Sequence, residues 1–326
     1  LPDREPLAWA AVGPGQLVGA LEPLRRAHGP QRAAALVAAE PRELERLAAG
    51  LGPGPAVLLV AEDPAGPSLR QRYPSPFLAT DDGRDVLLGW LRLERPALAA
   101  YAQRAAELAQ RPSGGAQAVL LLGPLERRYQ ELLDALECSC GAAPGLHALR
   151  WSAERIRRPT LVQALRLGAA AALYSGHGSA AGWHAYGGLR AADFAAESTW
   201  SGQQASALMF SLACDTGRSS GFADQLVAHG IAGAVVAPHG ASLHEDNRRL
   251  AAALVGALAG GRRRLCELLE SARAAGAALD GYVVIGDPGL RAAQAPGAGQ
   301  RGAGVFAPAP GADLAAARAA VAARYL

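Results

Sequence analysis

Apolar positions along this chain fall into two alternating patterns. Short continuous runs recur at Leu7–Val12 (LAWAAV), Ala56–Ala61 (AVLLVA), Asp85–Arg92 (DVLLGWLR), Ala116–Leu122 (AQAVLLL), Ala232–Ala237 and Tyr282–Ile285. Runs of that length with no polar face predict strands buried on both sides. Between them, apolar residues spaced three and four apart predict helices over 16–27, 31–49 (interrupted by Pro41), 95–110, 128–136, 160–167, 222–229, 247–259 and 264–275. Pro96 sits in the first turn of its helix, where the missing N–H costs nothing. An extended stretch is expected over 146–151. Strands alternating with helices of about ten residues imply a mostly parallel sheet covered on both faces. In such a sheet the ligand crevice lies at the carboxyl ends of the strands.

The pattern stops once and restarts. Arg111–Gly115 (RPSGG) reads as a linker, dividing a smaller α/β lobe (1–112) from a second lobe (113–295). The segment from Pro296 to Pro310 is rich in Gly, Ala and Pro and reads as flexible linker, followed by a stretch of helical composition to Leu326. No internal repeat of solenoid period is present.

Composition narrows the function. Of 326 residues, half are apolar, enough for one large core or two moderate ones. All of the basic side chains apart from histidine are arginine, scattered along the chain, and the net charge is only +3. That argues against nucleic acid as a partner. Abundant Ala, Gly, Pro and Arg with no lysine suggests a GC-rich bacterial genome. No apolar run reaches the length of a membrane span. Four unevenly spaced cysteines do not form a disulfide framework, so a reducing, cytoplasmic location is expected. The chain begins at Leu1 without Met, so secretion is the alternative. Cys138 and Cys140 lie in a Cys-Ser-Cys stretch expected to be a turn. Neither they nor the histidines at 184, 229, 239 and 244 have metal-ligand spacing, and no metal or cofactor is expected.

Two segments carry the candidate chemistry. Leu173–Ser179 (LYSGHGS) and Phe210–Gly217 (FSLACDTG) are apolar runs that end at His177 and Cys214, each flanked by small residues. At the ends of neighbouring parallel strands these two form a Cys-His dyad, with the imidazole making the thiol a nucleophile. The backbone N–H groups of Gly178 and of Cys214 itself are candidate oxyanion donors. Taken singly, the cysteine also fits a core thiol and the histidine a turn residue.

Together with Trp183, the Gly233–Ala237 strand and Gly286-Asp287-Pro288, the segments YSGHGS and SLACDTG resemble, in order, the gingipain family of caspase-fold cysteine peptidases. Gly187–Phe194 (GGLRAADF) and the LACDTG ending resemble the related CHAT domains. The resemblance implies a caspase-like three-layer α/β sandwich with a mostly parallel sheet, preceded by a smaller α/β lobe. It implies a cysteine endopeptidase acting through a thioester, with His177 and Cys214 as the dyad and Gly178 in the oxyanion hole. A protein or peptide is the implied substrate, with a regulatory or activating protein as a further partner. A catalytically inactive caspase-like binding or scaffold module is the competing expectation.

The substrate pocket is less defined. Trp183, Asp215, His244 and Glu126 are its candidate lining residues, and Trp183 fits a core tryptophan equally well. Gingipains place a tryptophan on the pocket wall where this chain has the His244 region, so a preference for Arg or Lys need not carry over. Glu126 is also the one carboxylate in the loop that orients the histidine in some family members, and the plainer expectation for it is a cap of the following helix. Asp215, beside the thiol, is expected to point away from it.

Overall fold

The computed structural model describes residues 7–29, 33–36, 51–60, 75–79, 85–112, 117–153, 156–195 and 201–293. In the first half the strands are β1 (Leu7–Val12), β2 (Ala33–Leu36), β3 (Leu51–Val60), β4 (Phe77–Ala79) and β5 (Asp85–Leu91). In the second they are β6 (Gln117–Gly123), β7 (Leu146–Ser152), β8 (Ala171–Ser175), β12 (Ser206–Leu212), β13 (Ala232–Pro238) and β14 (Tyr282–Gly286). Three two-residue strands, β9 (Gly178–Ser179), β10 (Gly182–Trp183) and β11 (Leu189–Arg190), make a separate small antiparallel sheet.

The other strands form one continuous sheet in the order β2-β1-β3-β5-β14-β13-β12-β8-β6-β7, with β4 alongside β5. Side chains alternate across it. Leu120, Tyr174, Met209 and Val235 face one cluster with helices Arg95–Ala109, Arg158–Leu165 and Phe222–Ala228. Leu121, Leu173, Phe210 and Val236 face another with helices Arg127–Gly141, His244–Ala259 and Leu265–Ala274. Burying both faces of every central strand is what made the apolar runs continuous. The result is a three-layer α/β sandwich.

Periodicity did not reveal the seam. β14 pairs parallel to β5 but antiparallel to β13, so the strands of the two halves run in opposite senses within one sheet. The carboxyl ends of β8 and β12 therefore open at the edge opposite to those of β1, β3 and β5.

Other expectations need correction. Within the helix predicted over 31–49, Ala33–Leu36 is strand β2, and its pairing with β1 overrides the local helical pattern. Residues 37–50 lie outside the described set, as does the tail beyond 293. The helix expected over 16–27 breaks into three short turns, with Pro23 at the start of the last. Cys138 and Cys140 lie on the helix Arg127–Gly141 rather than in a turn, because burial of Cys140 extends its apolar face by a turn.

The Gly286-Asp287-Pro288 sequence locks the seam. Gly286 has φ +95°, and a Cβ there would strike the Gly233 carbonyl. Asp287 is fully buried and accepts hydrogen bonds from Trp9 Nε1 (2.8 Å) and the Gly289 N–H (2.9 Å), with His28 Nε2 at 2.7 Å. Its own N–H donates to the Tyr101 hydroxyl, which donates to the Gly233 carbonyl. Burial alone would raise the carboxyl pKa; the electrostatic attraction of His28 and the hydrogen bonds from His28, Gly289 and Trp9 outweigh it and leave it lowered. A lowered folded-state pKa gives stability that is complete above the ordinary Asp value of about 3.9 and lost as pH falls through the folded value. We expect Asp287→Asn to lose about 2 kcal/mol at pH 7. Its stability should also vary less than the parent's below about pH 4, as read by urea unfolding across pH.

Candidate active site

His177 and Cys214 come from adjacent parallel strands. In the pairing of β8 with β12, Ser175 lies opposite Leu212, and each functional residue follows two positions later. The loops are fixed separately. The His177 carbonyl accepts from the Tyr174 hydroxyl (2.9 Å) and the His184 N–H (3.0 Å). Below them Trp183 stacks on Tyr174 at 4.2 Å and donates through Nε1 to Ser211 Oγ (2.8 Å). Ser211 Oγ donates to Thr216 Oγ1 (3.0 Å), whose hydroxyl in turn reaches the Ala213 carbonyl (2.8 Å). Trp183 is 1% exposed, which favours the core reading over the pocket wall: it is the buried tie between the two loops.

The turn after the cysteine leans on the loop after β13. The Asp215 N–H donates to Gly240 O (2.9 Å) and the Gly217 N–H to Pro238 O (2.8 Å). A Cβ on Gly217 would come within 2.7 Å of Ala237 O, which is why the turn is glycine there. Asp215 has φ +60°, a conformation Asp tolerates better than most residues. Gly178 packs against the same turn, where a Cβ would lie 2.8 Å from Ala213 Cβ. The two candidate oxyanion donors thus belong to loops in direct contact.

The thiol is half-buried and makes its hydrogen bonds with Ser242. The Ser242 N–H donates to Sγ (3.4 Å), Sγ–H reaches the Ser242 carbonyl (3.5 Å), and the Ser242 hydroxyl stands at 3.8 Å. The imidazole, half-exposed, engages a different group: its Nε2 lies 2.7 Å from Arg128 Nη2 and 3.4 Å from Glu126 Oε1. Arg128 also donates to Glu126 Oε2 (3.0 Å). Among the described residues, Sγ and the imidazole share no hydrogen bond with one another. A guanidinium can only donate, so in this arrangement Nε2 accepts and the ring proton sits on Nδ1.

Glu126 occupies the cap position of helix Arg127–Gly141, but its side chain makes no capping bond. That corrects the helix-cap expectation; the carboxylate is spent on His177 and Arg128. His244, at the start of its helix, packs edge-on against Tyr129 at 5.0 Å, and Tyr129 stands edge-on to His177 at 5.6 Å. Burial, then the Arg128 charge, lowers the His244 pKa. Leu125 and Leu243 are the exposed large apolar side chains among the described residues, and both flank this site along the chain. Sequence reasoning missed Tyr129, Ser242 and Asn247. Tyr129 reads as one more apolar position of a helix, and Ser242 as an ordinary loop serine. Among the described residues no three His, Cys, Asp or Glu side chains gather as a metal site requires.

Residues 142–293 match the model of peptidase family C25. Over that span the chain is similar to the gingipain family of cysteine peptidases. The matched span includes His177, Cys214, Ser242 and the Gly286-Asp287-Pro288 lock. The gingipain-like fold extends beyond it. The Arg specific cysteine proteinase gingipain R aligns with a TM-score of 0.64 at 16% identity, over 89% of this chain and 79% of its own. The Porphyromonas gingivalis RgpB structure, a complex of pro- and mature domains, gives 0.65 at 14% identity, over 86% and 79%. No curated protein sequence matches the chain. In this gingipain-like chain no helix among the described residues is long and apolar enough to cross a membrane.

Proposed function

We propose that the chain is an endopeptidase in which Cys214 attacks the scissile carbonyl and His177 manages the protons. The observation that carries this reading is the register of β8 against β12, which sets both residues two positions past the same rung of one sheet edge. In the reaction, the thiol proton passes to the imidazole as Sγ bonds to the carbonyl carbon. The tetrahedral oxyanion is met by the N–H groups of Gly178 and Cys214. Collapse breaks the C–N bond, the imidazolium protonates the leaving amine, and a thioester remains. Water, giving its proton to His177, then hydrolyses the thioester to free acid and thiol.

Glu126 and Arg128 act on the same imidazole nitrogen with opposite effects. The Arg128 donor requires a neutral ring, whereas the Glu126 carboxylate favours the imidazolium that forms during attack. Catalysis therefore needs Arg128 to release Nε2 to Glu126, leaving Nδ1 to serve the thiol. With Leu125 and Leu243 beside the site, apolar side chains near the scissile bond are favoured.

A peptide carrying a thiol-directed electrophile at the scissile position tests this. We expect Cys214 to be labelled in preference to Cys138, although Cys138 is the more exposed, and Cys140 and Cys266 to stay unlabelled. Labelling that tracks exposure alone would overturn the reading. Incubation of the purified chain with a peptide library then reads the cleaved sequences.

A further inference from the structure

Beyond the dyad, the thiol has a second set of partners whose own placement is built from buried polar groups. Asn247 is 5% exposed and Tyr282 3%, on the helix His244–Ala259 and on β14 respectively. The Tyr282 hydroxyl donates to Asn247 Oδ1. Asn247 Nδ2 then donates to Ser242 Oγ at 3.0 Å. The direction of this chain has a chemical consequence. Because Ser242 Oγ already accepts from Asn247, its own hydrogen remains to be given, and Cys214 Sγ is 3.8 Å away. The Ser242 N–H points to the same sulfur at 3.4 Å.

A neutral thiol donates to the Ser242 carbonyl. Once the proton has left, the sulfur can only accept, and the two Ser242 donors are already in place to receive it. Buried amide and phenol groups are costly unless satisfied, and here they satisfy one another while fixing one loop. None of this depends on His177, which faces Arg128 and Glu126.

We propose that Ser242 stabilises the thiolate of Cys214 through its N–H and hydroxyl, and that Asn247 and Tyr282 are positioning residues holding Ser242 there. The proposal rests on Cys214 being the nucleophile only for its bearing on turnover; its effect on the thiol can be measured separately.

The test is alkylation of the full chain by iodoacetamide at fixed pH, followed residue by residue by mass spectrometry. Exposed Cys138 serves as the internal clock, and buried Cys140 and Cys266 report an intact fold. Ser242→Ala, which removes the hydroxyl and keeps the N–H, is expected to slow Cys214 labelling about tenfold relative to Cys138. Ser242→Thr, which restores the hydroxyl, should recover the parent rate. Asn247→Ala is expected to slow it at least as much, and Tyr282→Phe less.

Parent-like labelling of Cys214 in both alanine variants, with Cys140 and Cys266 still protected, overturns the proposal. If Asn247→Ala exposes the two buried cysteines, the Ser242 pair decides alone. Retained peptide cleavage by Cys214→Ala would remove the nucleophile reading while leaving the labelling result standing, so the two failures are distinguishable.

Discussion

Cys214→Ala is expected to lower peptide cleavage by about 10⁴-fold or more, and His177→Ala by a similar factor. The double variant should be scarcely worse than either single one. Residues that act as one unit do not contribute additively: without the sulfur there is no acyl-enzyme for the imidazole to serve, and without the imidazole the leaving amine gets no proton. Neither change should disturb the fold. Cys214 is half-buried and its loop is held by the Asp215 and Gly217 backbone bonds, while His177 is half-exposed on a loop tied by Tyr174. Hydrolysis of a peptide selected by library profiling, with urea unfolding of the same samples, checks both halves. Cleavage retained by Cys214→Ala would sink the dyad.

Arg111→Ala should cost about 4 kcal/mol or more of stability. The side chain is 6% exposed and its guanidinium donates to four backbone carbonyls. Nη1 reaches Ala293 O at 3.0 Å and Gly168 O at 3.4 Å, and Nη2 reaches Ala205 O at 2.7 Å and Gly202 O. Those carbonyls belong to the segments entering β8 and β12 and to the crossing that follows β14. One planar group, charged at every accessible pH, thus holds together the starts of the two strands that lead to His177 and Cys214. Alanine leaves these acceptors without their donor and opens a hole between the segments. Denaturant unfolding measures the loss. Arg111→Lys should recover only part of it, since an ammonium cannot reproduce the fork that spans four carbonyls. A fall below about 1 kcal/mol for the alanine variant would contradict this account.

How much of this was legible follows from what each feature requires. The strands could be read because burial on both sheet faces leaves a continuous apolar run, and the ends of β8 and β12 because small residues and glycine interrupt those runs beside His177 and Cys214. The antiparallel seam could not, because a buried strand has the same composition in either direction. Arg111 was assigned to a linker since it precedes Pro-Ser-Gly-Gly; nothing local shows that its side chain turns inward to carbonyls up to 182 positions away. Ser242, Asn247 and Tyr129 carry no signature for the same reason. Their roles arise from the packing of loops and helices drawn from separate parts of the chain. Trp183 was open between a wall of the cleft, which the family resemblance implied, and the core; the tight β9–β10 turn folds the indole underneath.

The reversal of strand sense between β13 and β14 also sets where this molecule can be handled. A strand of seven residues is about 23 Å long, so the carboxyl ends of β1, β3 and β5 stand that far from the rim that carries His177 and Cys214. A tether, label or solid support joined at that far rim leaves the edge of His177 and Cys214 open to a polypeptide. The same attachment beside Leu125 or Leu243 would obstruct it.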